Sequence, residues 1–221
     1  MRKRSYLVVT ASIGSGHIKA AEAICNVLNG RYPEDDIRCV DFMARETSWL
    51  NWMMKEIYLK MLAFVPNLYE FIYKFSGRHT GGTAVQQLLS RLMRRNMAKL
   101  VRRYAPDVVV CTHPFPEGAA SCLKKQADTF MLATVMTDYS IHQMWLYPGV
   151  DLYFVATEQM KADLLAAGFA AAKVQVTGIP IAGRILEADE PAQILARLGL
   201  KAEVPVLLLM GGGLGLGGLD L

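Results

Sequence analysis

The sequence predicts an α/β fold, a doubly wound parallel sheet with helices on both faces, and three observations lead there. Short apolar, β-branched runs alternate with helical patterns along most of the 221 residues. The first such run, residues 7–10, leads through Gly14 and Gly16 straight into an alanine-rich helix. Polar residues including His17, His113 and Asp138 follow separate runs, and in a parallel sheet the carboxyl ends of the strands share one edge.

The helix after the first strand repeats apolar residues at helical spacing over 18–28. Gly14 and Gly16 let the chain turn sharply and, with Ser15, bring bare amides to the positive end of that helix. Such a corner suits a phosphate or a developing anion, or is a tight turn with no ligand. It is not a Walker A loop, because His17 follows Gly16 where that loop needs lysine, and the dinucleotide fingerprint would want glycine at Lys19. His17 is placed either to take a proton from a bound hydroxyl or to cap and pack the corner. Residues 29–33 stop the helix and 37–41 form a second strand. Asp41 ends it, where a ribose-binding acid would sit, although the missing third glycine argues against that role.

Between residues 49 and 75 the composition turns apolar and aromatic, with Trp49, Trp52, Tyr58 and Phe64 among interspersed lysines. Two helices broken at Pro66 fit the pattern. They form either a hairpin packed on the sheet or a monotopic membrane contact. Residues 76–83 read as a flexible loop. The helix predicted over 88–104 carries Arg91, Arg94, Arg95, Lys99, Arg102 and Arg103 and no acid. A basic helix beside an aromatic one can bind anionic lipid; it can also be a solvated face, and nucleic acid is a lesser reading because no base-reading module accompanies it.

A third strand over 108–111 ends in Thr112-His113-Pro114-Phe115-Pro116, where the prolines predict a turn. A fourth, 131–136, runs into the densest polar cluster of the chain, with Asp138, Tyr139, His142 and Trp145. That cluster can supply a general base, a hydroxyl acceptor and a stacking platform, while Asp138 can equally cap the turn. Strands over 151–156 and 173–177 flank a helix at 158–167. A linker containing a helix follows, and residues 204–210 predict a further strand that leads into Gly211, Gly212 and Gly213, a second glycine corner.

The chain is 52% hydrophobic and 20% charged, which excludes a disordered protein, and no long apolar stretch is free of charge or proline. The first residues lack the apolar core of a secretory signal, so a cytoplasmic location is expected. Cys25, Cys39, Cys111 and Cys122 show no zinc spacing and read as reduced core residues. The net charge of +4 and pI near 8.9 are modest, but the basic residues are concentrated in one helix.

Taken together, Ser-Ile-Gly-Ser-Gly-His-x-x-Ala-Ala, His-Pro-Phe-Pro, Thr-Asp-Tyr-x-x-His-x-x-Trp, Val-Asp-Leu-Tyr-Phe-Val-Ala and Thr-Gly-Ile-Pro-Ile, in this order, resemble the monogalactosyldiacylglycerol synthase and bacterial diacylglycerol glucosyltransferase family. The resemblance implies a GT-B glycosyltransferase with Rossmann-like domains. Residues 1–185 would be the acceptor and membrane-binding domain, 186–203 a linker, and 204–221 the beginning of a truncated nucleotide-sugar domain. It implies transfer of a hexose from UDP-glucose or UDP-galactose to diacylglycerol with inversion, without cofactor or metal, on the inner face of the cell membrane among anionic lipids.

Carried over by motif, His17 looks like the base and Asp138 its competitor. Gly14, Ser15 and Gly16 look like a loop beside the donor diphosphate, joined there by Gly211, Gly212 and Gly213. His113, Pro114, His142 and Trp145 look like acceptor or headgroup residues. Trp49, Trp52, Tyr58, Phe64, Arg94, Arg95 and Arg102 look like the membrane contact. A membrane-binding fragment of the same fold that transfers nothing is the alternative, and an epimerase acting on soluble sugars is disfavoured by the apolar surface of 49–75.

Overall fold

The computed structural model describes residues 3–44, 49, 52, 53, 55, 56, 60, 81–125, 129–185, 187, 189–201 and 203–210. Six strands, β1 (Ser5–Thr10), β2 (Asp36–Asp41), β3 (Val108–Cys111), β4 (Met131–Val135), β5 (Leu152–Val155) and β6 (Val174–Val176), form one sheet. Their order is β2-β1-β3-β4-β5-β6 and every pair is parallel. The helices are α1 (Ser15–Arg31), α2 (Gly81–Tyr104), α3 (Pro114–Lys124), α4 (Glu158–Ala166) and α5 (Pro191–Arg197). The chain winds outward from β1 to β2 and returns past β1 to β3, so the order reverses between β1 and β3. Loops at that reversal part from one another and open a crevice at the carboxyl ends of the strands.

Both sheet faces are covered, which is why the strands read as apolar runs rather than as alternations. Leu7, Val9, Val109, Cys111 and Leu132 belong to the core containing Met93 and Met97 of α2 and Ala119 and Ala120 of α3. Val8, Val110, Ala133 and Val135 belong to the opposite core, with Ala21 and Cys25 of α1. Leu7, Val8 and Val9 are wholly buried, each contributing roughly 1.5–3 kcal/mol. Carboxylates tie down the far ends of the strands: Asp107 accepts from the Ser5 amide at 2.9 Å, and Asp151 from the Leu132 amide at 2.8 Å.

The expected parallel sheet is present, and its elements depart from expectation in four places. Helix α2 begins at Gly81, inside the stretch read as a loop, because its buried Gln86 and Ser90 hold an earlier turn against the body of the protein. Pro114 and Pro116 do not form a free turn but start α3, since the first helical turn has no use for their missing N–H groups. Residues 204–210 are not a strand; no neighbouring strand among the described residues takes up their backbone groups, and Leu207, Leu208 and Met210 stand exposed. Cys39 is exposed on the edge strand β2, whereas Cys25 and Cys111 are buried as expected. No helix among the described residues is long and apolar enough to cross a membrane. Tyr58, Phe64, Gly211, Gly212 and Gly213 lie outside the described residues, Trp49 is exposed and Trp52 half-buried.

Among the polar groups buried in the described residues is one carboxyl. Register places Cys111, Thr134 and Tyr153 in one lateral row across β3, β4 and β5. Glu117, from the first turn of α3, is wholly buried next to the Thr134 and Tyr153 hydroxyls, and neither carboxyl oxygen makes a well-formed hydrogen bond among the described residues. Burial therefore pushes its pKa well above the usual carboxylate range, so the neutral acid is the folded form. The unfolded chain loses this proton near the ordinary value of 4.5 and the folded chain retains it. Stability is then fully present below that value and declines as pH rises toward the folded value. In Glu117→Gln this dependence vanishes: urea titrations should show the wild type losing about 1.4 kcal/mol per pH unit relative to the variant above that range. Parallel pH dependence in the two proteins would show that Glu117 is ionised when folded.

Candidate active site

The crevice at the β1/β3 reversal gathers side chains from four separate stretches of chain. Gly14 is the residue before α1 and has φ of +85°, in the left-handed region that glycine enters without strain. A Cβ added there would only touch the imidazole, 3.4 Å from His17 Cδ2 and 3.8 Å from Nε2, so the backbone conformation rather than space calls for glycine. Gly14, Ser15 and Gly16 are exposed, and no side chain among the described residues caps the helix end. The loop is held from below by Asp41, whose Oδ1 accepts from the amides of Ser12 at 3.0 Å and Met43 at 2.9 Å. Asp41 thus braces the corner. Lys55 reaches the same loop, donating to Ser12 Oγ at 3.1 Å.

His17 Nδ1 lies 2.9 Å from the carbonyl oxygen of Thr112, the first residue after β3. A carbonyl only accepts, so Nδ1 carries the hydrogen and the neutral ring keeps its lone pair on Nε2. Thr112 returns the contact, its hydroxyl donating to the His17 carbonyl at 3.0 Å. Thr137, just beyond β4, places its hydroxyl 2.5 Å from Nδ1 as well. Nε2 has no hydrogen bond among the described residues, which leaves it available to an incoming hydroxyl. Burial lowers the basicity of His17, while the charge of Asp138 and the Thr112 carbonyl raise it.

The other expected residues divide by what they touch. His113 packs edge-on against His17 with ring centroids 4.5 Å apart, is buried, and caps α3 by accepting from the Phe115 amide at 3.2 Å. Burial, then the neighbouring His17, holds its pKa well below the usual imidazole range, so it stays neutral. Pro114 is the first residue of α3. His142 caps a single 3-10 turn, Gln143–Trp145, accepting from the Met144 amide at 3.2 Å. Trp145 is buried with its ring centroid 6.2 Å from that of His17, and its Nε1 donates to Asp138 Oδ2 at 2.7 Å. The structure therefore brings His17, His113, Asp138 and Trp145 together, with Thr112, Thr137 and Lys55, which residue reading missed. Arg94, Arg95 and Arg102 lie along α2 instead.

This arrangement has a direct spectroscopic test. In ¹⁵N–¹H correlation spectra His17 should show the Nδ1–H tautomer and titrate below the ordinary imidazole value of 6.5. An Nε2–H tautomer would remove the free lone pair on which a base depends.

The sequence model of the monogalactosyldiacylglycerol (MGDG) synthase family matches residues 17–181. A processive diacylglycerol beta-glucosyltransferase of Staphylococcus epidermidis is 27% identical over 217 residues, covering 97% of this chain and 54% of the relative. One from Bacillus cytotoxicus is 28% identical over 207 residues, covering 93% of this chain and 52% of its own. The chain thus spans about half the length of the curated relatives it matches. Among solved structures, the apo lipopolysaccharide outer core galactosyltransferase WaaB aligns with a TM-score of 0.46 and 14% identity, over 78% of this chain and 44% of that one. With most of its length matched by that family's sequence model, the chain belongs to the monogalactosyldiacylglycerol synthase family.

Proposed function

We propose that this chain is the acceptor-binding half of an inverting glycosyltransferase that moves a hexose from UDP-glucose or UDP-galactose to the hydroxyl of diacylglycerol at the inner face of the cell membrane. The observation that carries the reading is the His17 imidazole, fixed by the Thr112 carbonyl through Nδ1 and open at Nε2. The acceptor hydroxyl gives its proton to Nε2 as its oxygen bonds to the anomeric carbon. The bond from that carbon to the diphosphate oxygen breaks on the opposite side, and UDP leaves with the electron pair. Negative charge grows on the diphosphate, and the amides at the start of α1, which no side chain among the described residues caps, suit it. Lys55 adds a cation at the same loop. Family membership and the names of the relatives support the reaction class.

The membrane reading rests on α2. Arg91, Arg95, Lys99 and Arg102 are exposed along it, with Leu88 58% and Leu92 50% exposed beside them. Apolar side chains among cations suit the boundary between headgroups and acyl chains of an anionic bilayer, and exposed Trp49 suits the same depth.

Transfer of radiolabelled hexose from each UDP-sugar to diacylglycerol in anionic vesicles tests the reaction. His17→Ala should lower kcat by about 10²–10⁴ while vesicle binding survives. Asp138→Asn should retain activity and move the acid limb of the pH profile downward, because the charge that raises His17 basicity is gone. Loss of activity in Asp138→Asn with an unmoved limb would make Asp138 the base. Vesicle binding with no transfer from either donor would leave a membrane-binding module.

Reversing three of the exposed charges in Arg91→Glu, Arg95→Glu and Arg102→Glu should weaken sedimentation with anionic vesicles by roughly a hundredfold or more, at about 1 kcal/mol per charge. Unchanged sedimentation would remove α2 from the membrane contact.

A further inference from the structure

Trp145 sits on a strap between β4 and β5 whose backbone is gripped from two sides. On one side Gln86 of α2, 3% exposed, donates from Nε2 to the carbonyl oxygens of Gln143 and Leu146, each at 3.0 Å. Those two carbonyls bracket Trp145. On the other side the Tyr153 hydroxyl lies 3.1 Å from the Trp145 carbonyl and 3.0 Å from that of Tyr147, and accepts from the Tyr147 amide at 3.0 Å. One turn beyond Gln86, Ser90 hydrogen-bonds the Tyr147 hydroxyl at 3.3 Å. Any side chain at Gly118 of α3 would collide with both the Ser90 and Tyr147 hydroxyls, so the elements around the strap fit without slack.

A buried amide is an expensive way to fill space, since an apolar side chain of similar volume would fill it without desolvating a polar group. What the glutamine adds is direction. Its two N–H groups match two carbonyls on a segment far away in sequence and fix the height of the strap above α2. Height matters because the indole of Trp145 holds Asp138 at 2.7 Å, and Asp138 is the charge that acts on His17. The chain of contacts runs Gln86, strap carbonyls, Trp145, Asp138.

We propose that Gln86 is a positioning residue of the active site: it fixes the strap that holds Trp145, and through the indole Asp138, in place beside His17. Its relevance to catalysis rests on the transferase reading, whereas its effect on Trp145 does not.

Hydrogen exchange at the Trp145 indole N–H measures the effect without turnover. The chain has 3 tryptophans, and Trp49→Phe and Trp52→Phe assign the resonance of the remaining one. In Gln86→Leu, and in Gln86→Met, which keeps the length of the side chain but cannot donate to the carbonyls, the indole N–H should exchange at least tenfold faster. The amides of Val109 and Val110 in β3 should keep their protection. The acid limb of the transfer profile should move in the same direction as in Asp138→Asn. Unchanged indole exchange in either folded variant, or acceleration in step with the β3 amides, would overturn the proposal. Faster indole exchange in a protein that never transfers hexose would sustain the positioning role and sink the transferase reading.

Discussion

The active-site crevice depends on one hydrogen bond, from His17 Nδ1 to the carbonyl of Thr112. That carbonyl is available because β3 has just ended, and its position opposite the first turn of α1 follows from the strand order, which sets β1 beside β3. Fold topology thereby determines a tautomer. With the proton held on Nδ1, the lone pair on Nε2 is present in every neutral molecule. The second contact, from the Thr112 hydroxyl to the His17 carbonyl, ties the same two segments through their backbone and side chain in the reverse sense. Displacing α1 relative to β3 breaks both bonds at once.

Electrostatics then adjust the basicity of that imidazole. Two imidazoles with centroids 4.5 Å apart cannot both carry charge cheaply. Burial of His113 settles which one stays neutral, since its Nδ1 is also taken by the Phe115 amide. Burial weakens His17 as well, and the Asp138 charge works against that effect. A histidine too weak would not remove the proton, and one too strong would be protonated already at working pH. On the proposed reading His17 is the base and Asp138 its tuner rather than its rival, which fits the carboxylate being turned toward Trp145.

Much of this was legible in the sequence, and what was not has physical causes. Strands announced themselves because burial on both faces demands continuous apolar runs, and the polar residues just beyond them fell on one edge because the sheet is parallel. Pro114-Phe115-Pro116 misled because proline suits a turn and the first turn of a helix equally, and only the burial of Ala119 and Ala120 decides between them. Residues 204–210 misled in the opposite sense: β-propensity describes fitness for a sheet, and no sheet neighbour is present among the described residues. Thr137 and Lys55 went unread because their partners lie 120 and 43 residues away in the chain. Glu117 lies in a helix that residue reading took for a turn, and its burial reflects two elements closing over it.

Helix α2 shows how one element serves two surfaces. Its outward residues Leu88, Arg91, Leu92 and Arg95 suit a charged bilayer, while Gln86 and Ser90 face inward to the strap and Tyr147. A helix makes this possible because its side chains diverge by about 100° per residue, so neighbours in sequence serve opposite sides. The consequence is geometric. Whatever plane the outward residues rest on, the strap is set at a fixed height from it by two hydrogen bonds of 3.0 Å. If that plane is a membrane, Trp145 and Asp138 stand at a defined depth relative to the lipid hydroxyl, and the position of the base against its substrate is set by α2 as much as by α1.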